Sequence, residues 1–539
     1  MSSENGSSSR KSLPISQSKY NPYSEIANYI TTDLTYSLPI IYLNISAQKL
    51  QLPDNLTESN CICVLFLRNK RSLIEVGRTE PQTSPNPNWS HKIKIVYRFE
   101  MKQLLIFRVY SVSANTNDLS KQIIIGESKI QFSKIITNNS KTELKLKNSQ
   151  QSVCGSLYIN SSQIDNCSSL INGQILGVSL KRHSLIFQNE VSFSISKKTT
   201  DGNYVTIYNS EGNKKMQWES FSIAFQLLCD NDPELQLRIS FFDHKKSKSS
   251  QLVGYHDSTY ARLSESVNTL LPIVNNSNKN VGSFKILNLS LQQKSNFYDY
   301  LHNGFGLNVI TAVDFTLSNG DPKDPKSLHY LDPTGKNKNQ YEKCIRCIGD
   351  IMCPYDRHQS FPVLGFGAKE FPQRCFPLIP GEDSSIACSV DDILRLYRNA
   401  VSRVSFSGPT LLSPVIKNAS QIALKSFEEQ RNFSVLIILT DGPINDMSDT
   451  LDAIVEASRI PLSIIVVGIG EDNFESMVKL DSNKSKIVNY AGRTLERDLI
   501  RFIRLKDLGD EHLAEELLKE IPRQSVQWAE MNGVKPYNR

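Results

Sequence analysis

A chain of 539 residues is too long for one ordinary hydrophobic core, and at roughly 150 residues per domain it divides into about three. Its 61 basic and 55 acidic side chains leave a net charge of only +6, and no basic run interleaved with aromatics marks a nucleic-acid groove. No nucleic-acid partner is expected.

The opening "MSSENGSSSRKSLPISQSKYNPYSE" is polar and Ser-rich, with no apolar core of its own, so residues 1–35 are expected to form a disordered tail rather than a leader or an anchor. Ser at position 2 and the absence of a C-terminal prenylation Cys argue against lipidation. Ten cysteines without a secretory leader point to reduced thiols in the cytosol. The acceptor sites at Asn44, Asn55 and Asn88 are then expected to carry no glycan.

From residue 36 the chain reads as short β runs between turn-rich loops. "IIYLNIS", "CICVLFL", "HKIKIVYRF", "QLLIFRVYSV" and "GSLYINSSQI" make one series, assigned to residues 36–163. "QILGVSL", "EVSFSIS", "NYVTIYN", "FSIAFQL", "LQLRISFFD" and "GSFKILNLSL" make a second, over 164–295. Two antiparallel β-sandwiches in tandem fit this spacing. The segments "SPNPNW" and "NDPELQL" read as turn-rich connections.

After residue 296 buried strands alternate with helical stretches: "LNVITAVDFT", "CIRCIGDIM", "SFPVLGFGA", "VDDILRLYRNAVSRV", "FSVLIILTDG", "TLDAIVEASR" and "LSIIVVGIG". Uninterrupted Val/Ile/Leu strands covered on both faces predict a doubly wound α/β domain over 296–510. The last segment, 511–539, is expected to hold one helix, "DEHLAEELLKEIP", stopped by Pro522, and a tail. Cys344 and Cys347 fall i, i+3 on an apolar-periodic helix without a matching pair at zinc spacing, so with Cys353 they read as core thiols.

The chemistry concentrates where the first strand of the α/β region ends. "AVDFTLSNGDP" puts Asp314, Thr316 and Ser318 at alternating positions, on one side of an extended chain that can curl round a single point. Open parallel sheets bind ligands beyond the carboxyl ends of their strands, and carboxylate and hydroxyl oxygens suit a hard divalent cation. By itself the triplet is equally well explained as a strand-end turn. "SGPTLLSPVI" adds Thr410 in a Gly-Pro loop, and "FSVLIILTDG" adds Asp441 behind a second buried strand. The order D-x-T-x-S, Thr, Asp is similar to the metal-ion-dependent adhesion site of von Willebrand factor A domains.

"FYDYLHNGFGLNVITAVDFTLSNGDP", "SLHYLDPTGKNKNQYEKCI", "FPVLGFGA", "SGPTLLSPVI" and "ILTDGPINDMSDTLDAIVEAS" resemble the A domain of the copines, and the two sandwiches fall where copines carry tandem C2 domains. The resemblance runs over residues 36–536. It implies a calcium-responsive, phospholipid-binding adaptor in the cytoplasm, peripherally associated with the plasma membrane or other inner membranes and acting in trafficking or signalling. Its partners would be anionic phospholipid and intracellular proteins. It also implies Mg²⁺ or Mn²⁺ held by Asp314, Thr316, Ser318, Thr410 and Asp441, with an acidic side chain of the partner completing the octahedron.

The calcium ligands that the resemblance implies are largely lost. The first sandwich has Leu52, Asn60, Ser111, Ser113 and Gln122 at the matching positions, and Asp54 and Asp118 fall outside them. In the second only Asp243 survives, beside Lys245 and Gln251. Bound Ca²⁺ is therefore not expected in either sandwich. Lys245, Lys246 and Lys248 make that loop tip cationic, which replaces a calcium bridge to anionic lipid at about 1 kcal/mol per basic residue, unless the run is merely a solvated loop.

Gly365 and Gly367 lack the rest of a phosphate loop, Asp446 and Asp449 read as caps of the helix that follows, and the histidines form no triad. The expectation is a non-enzymatic adaptor. The alternatives are a Mg²⁺-dependent enzyme on phosphoryl or acyl substrates, for which no base stands beside the cluster, and a cytosolic scaffold that binds only proteins.

Overall fold

The computed structural model describes residues 14–16, 20–27, 38–52, 60–69, 72–112, 118–138, 141–163, 169–181, 190–199, 201–244, 250–378, 385–472, 474–481, 487–508 and 513–536. They form three sheets.

The first is an antiparallel path folded on itself. One layer holds Leu73–Arg78, Asn60–Arg68, Leu104–Val112 and Ile123–Gln131; the other holds Thr142–Lys147, Val153–Gln163, Ile40–Gln48 and Ile93–Val96. A single residue pair, Glu127 opposite Lys147, joins the layers. Alternation makes the core: Ile41, Leu43 and Ile45 of one layer meet Cys61, Cys63 and Leu65 of the other, while Ile62 and Val64, on the opposite face of their strand, join a second buried cluster with Phe66, Leu73, Ile106 and Tyr110.

The second sheet repeats this plan over residues 170–292, again with one pair, Tyr255 opposite Val274, between its layers. The repetition reaches single side chains. Trp89 donates its indole N–H to the Cys61 carbonyl at 3.2 Å, and Trp218 donates to the Val191 carbonyl at 3.2 Å. Each acceptor is the second residue of its strand. The turn-rich "SPNPNW" therefore carries a core anchor as well as a connection, because the indole needs both an apolar socket and an acceptor.

The third sheet is doubly wound. Its parallel strands are β1 (Gly306–Asp314), β2 (Phe361–Phe366), β3 (Asn432–Thr440), β4 (Leu462–Gly468) and β5 (Ile500–Arg504), in the order β2-β1-β3-β4-β5. All nine residues of β1 and all nine of β3 are buried, as strands covered on both faces must be. Successive residues serve opposite faces: Val435, Ile437 and Leu439 join one core cluster, Leu436 and Ile438 the other. Helices α1 (Gln340–Met352) and α2 (Val390–Val401) cover the first face, and α3 (Ser413–Gln430) and α4 (Met447–Ala457) the second. Cys344 is fully buried on α1, with Cys347 and Cys353 packed against the same core.

Two sequence expectations are corrected at the chain ends. Within the tail expected to be disordered, Ile15 pairs with Leu73, Pro22–Ala27 is helical, and the Tyr20 hydroxyl takes the Val96 N–H at 2.9 Å. Ile15, Tyr20 and Ile26 are few, but the open edge of the first sheet offers them backbone partners and apolar cover. At the other end Pro522 begins a helix instead of only stopping one. Leu513–Leu518 (α5) is followed by Ile521–Met531 (α6), whose first turn tolerates proline because its N–H groups have no helical partner.

The first sandwich packs on the α/β unit through aromatic contacts. Phe99 meets Phe297 and Tyr355 at centroid separations of 5.1 and 5.0 Å, the Tyr97 and Tyr355 hydroxyls bond, and Arg98 pairs with Glu515. The Tyr355 carbonyl lies beside Gly306, the first residue of β1. This contact is therefore at the amino ends of the strands.

The chain's three tryptophans are divided one to each unit. Trp218→Ala is expected to cost the second sandwich about 3–5 kcal/mol. Chemical denaturation followed by circular dichroism should show an early transition that wild type lacks.

Candidate metal centre at the switch point

Strand order reverses between β1 and β3, which leave their carboxyl ends side by side. There the fold brings together Asp314, Thr316 and Ser318 from the end of β1, and Thr440 and Asp441 from the end of β3. Asp314 is fully buried. One carboxylate oxygen accepts the Thr316 N–H at 2.8 Å and the other accepts the Thr440 hydroxyl at 2.5 Å. Asp441 Oδ1 accepts the Ser318 hydroxyl at 2.9 Å, the Asn319 side-chain amide at 2.9 Å and, more distantly, the Thr316 hydroxyl at 3.4 Å. The Thr316 and Ser318 hydroxyls lie 3.0 Å apart.

Thr410 enters from the loop before α3. Its N–H donates to Asn445 Oδ1 at 2.8 Å and its carbonyl takes the Asn445 N–H at 2.9 Å. Asp446 accepts the N–H groups of Leu412 and Ser413, 3.0 and 2.9 Å away, and so caps α3 rather than its own helix. Both loops are thereby tied to each other. Gly367 has φ +80°, and a Cβ there would come within 2.5 Å of Thr316 Cγ2, so only glycine lets the β2 loop pass this close.

Electrostatics set this cluster apart from an ordinary turn. Burial raises the Asp314 carboxyl above its usual range, and burial together with the Asp314 charge pushes Asp441 up to about 7. Among the described residues no Lys, Arg or His ion pair reaches either carboxylate. Two buried acids flanked by hydroxyls, without a protein cation, make a donor set that a hard divalent ion fits. Among the described residues no group of three or more His, Cys, Asp or Glu that could hold a metal gathers, here or elsewhere, and this cluster offers two acids and hydroxyls instead.

Residues absent from the sequence reading hold the cluster from below. His329 Nε2 donates to the Asp314 carbonyl at 2.7 Å and its Nδ1 lies 2.8 Å from the Tyr397 hydroxyl. Its ring stacks between Phe315 and Tyr341. Asn319, the residue after Ser318, lies within the stretch "AVDFTLSNGDP". His329 and Tyr341, in "SLHYLDPTGKNKNQYE", are joined to it only by the fold.

The remaining assigned residues divide. Lys245, Lys246 and Lys248 lie outside the described residues. Asp243 ends a strand and is fully buried, opposite Gln251. In the first sandwich Asn60 accepts the Thr83 hydroxyl and Asp118 caps Ser120. No helix of the described residues is long and apolar enough to cross a membrane.

A doubly wound α/β domain with its oxygen cluster at the switch point, behind two C2-type sandwiches, defines the class. A family model described as Copine matches residues 327–537, and one described as C2 domain matches residues 42–147. The chain is 32% identical over 531 residues to Protein BONZAI 1 of Arabidopsis thaliana, covering 92% of this chain and 91% of that one. It is 31% identical over 542 residues to Protein BONZAI 2 of the same plant, covering 92% and 90%. This chain belongs to the copine family. Among solved structures, "BON1-C2B" is similar over 24% of this chain and 95% of its own, with 12% identity and a TM-score of 0.21. The paired C2 domains of Extended-Synaptotagmin 2 are similar over 53% and 100%, with 12% identity and a TM-score of 0.25.

Burial pushes His329 down to about 4 from an ordinary 6.5. Between those values the unfolded chain binds the extra proton, so stability rises with pH across the window and is lost on acidification, by ~3 kcal/mol in all. Asp441 acts in the opposite sense, its raised carboxyl favouring the fold as pH falls from about 7 towards 3.8. His329→Asn is therefore expected to reduce the loss of thermal stability between pH 7 and 4.5, leaving the Asp441 contribution.

Proposed function

We propose that this copine is a peripheral membrane adaptor: the sandwiches meet anionic phospholipid, and the α/β unit captures a protein partner through Mg²⁺ or Mn²⁺ at Asp314, Thr316, Ser318, Thr410 and Asp441. The observation that carries the reading is the pair of buried acids, Asp314 and Asp441, ringed by hydroxyls and without a cation from the described residues. A divalent ion bound there supplies an open coordination position for an acidic side chain of the partner. Only two carboxylates serve the site, so its charge is balanced by the ion rather than exceeded, and an incoming acid is still attracted.

The contact with the first sandwich is compatible with this role. It lies at Gly306 and Tyr355, and the nine residues of β1 put Asp314 about 26 Å away at the far end of the strand. The first sandwich's contact thus lies at the end of the sheet opposite the proposed metal site. Lys245, Lys246 and Lys248 are proposed to give the second sandwich a calcium-independent attraction to anionic lipid.

Calorimetric titration of the full chain with Mg²⁺ is expected to show one site, absent in Asp314→Ala; undiminished binding by that variant sinks the assignment. The ion must displace the proton that Asp441 keeps up to about pH 7, so affinity is expected to climb about tenfold per unit from pH 5 to 6.5 and to level off above 7. Sedimentation with phosphatidylserine vesicles in chelator should show binding that weakens with salt. Strict calcium dependence would overturn the lysine-tip reading.

A further inference from the structure

We infer that Asn319, locked by Tyr341, is the positioning residue of the cluster, orienting Asp441 and Thr316 towards the ion; the inference rests on the metal reading above. Asn319 is 1% exposed. Its backbone is anchored independently of the site, since its carbonyl takes the Ser327 hydroxyl at 2.9 Å and the Leu328 N–H at 3.0 Å. The side chain is thereby aimed from a fixed point.

One end of the Asn319 amide donates to Asp441 Oδ1 at 2.9 Å and to the Thr316 carbonyl at 3.3 Å. The other end accepts the Tyr341 hydroxyl at 2.6 Å. An amide turned by 180° would set a carbonyl oxygen against a carboxylate oxygen of Asp441, and in the orientation that avoids this the Tyr341 hydroxyl donates to the amide oxygen and holds the side chain in place. Tyr341 itself cannot swing, being fully buried with its ring 4.1 Å from that of His329, which is held at both nitrogens.

The chemical type at position 319 matters as much as its placement. A lysine or arginine would neutralise Asp441 and compete with the ion. A carboxylate would bring a third negative charge against two that already repel. A neutral amide holds the oxygen in place and leaves its charge for the cation, as outer partners of metal ligands do elsewhere.

The test is Mn²⁺ affinity of the full chain, read by electron paramagnetic resonance, for wild type, Tyr341→Phe, Asn319→Ala and the double variant, with thermal melts in chelator alongside. Tyr341→Phe keeps the stacked ring and is expected to weaken Mn²⁺ binding about tenfold, and Asn319→Ala by about ten- to a hundredfold. Tyr341 acts on the site only through Asn319, so the double variant should bind no more weakly than Asn319→Ala. Wild-type affinity in a folded Tyr341→Phe, or losses that simply multiply in the double variant, would overturn the inference while leaving the metal site standing. Failure of wild type itself to bind Mn²⁺ would overturn the metal reading and this one together.

Discussion

Two carboxylates that cannot both ionise comfortably lie at the centre of this molecule. Asp314 and Asp441 arrive from different strands at the same buried point; burial raises the proton affinity of both, and the Asp314 charge raises that of Asp441 further. What surrounds them is neutral: hydroxyls of Thr316, Ser318 and Thr440, the Asn319 amide and backbone N–H groups. A proton on Asp441 relieves the repulsion between the two acids, and on the proposed reading a divalent cation would do the same. Most of the local architecture follows from keeping that repulsion in place, including the Asn445 and Asp446 clamps and the close passage of Gly367.

The sheet order makes this arrangement possible. With β1 at the point where winding reverses, its carboxyl end opens into a crevice that no crossover helix fills, and β3 supplies the second acid from the adjacent edge. The amino ends of the same strands are used differently. There Tyr97 and Phe99 of the first sandwich meet Phe297 and Tyr355, merging two hydrophobic cores into one cluster. The third sheet thus separates an apolar docking end from a polar, charged end, because β1 to β5 all run the same way.

The two sandwiches illustrate a different economy. Their layers are held by alternation and by one buried indole each, Trp89 and Trp218, bonded to equivalent carbonyls. Asp243, the surviving carboxylate of the second series, is buried at a strand end.

Period-two alternation and unbroken apolar runs settled the two sandwiches and the doubly wound sheet from sequence alone, because burial on one face or on both leaves a direct mark on residue order. The positions of Asp314 and Asp441 were legible for a similar reason: each sits where an apolar run meets a turn. The roles of His329, Tyr341 and Asn319 were not. A histidine well beyond the motif and a tyrosine further on carry no local pattern, and only the packing of α1 against β1 brings their rings under the acids. The docked segment at Ile15 and Tyr20, and the helix Ile521–Met531 with Pro522 in its first turn, were hidden for the same reason. Their apolar residues are too few to signal burial by themselves, and they are ordered by partners far away in the chain. Local periodicity determines which segments must be buried; the tertiary structure alone decides which distant groups share a hydrogen bond, because that depends on where independent elements come to rest.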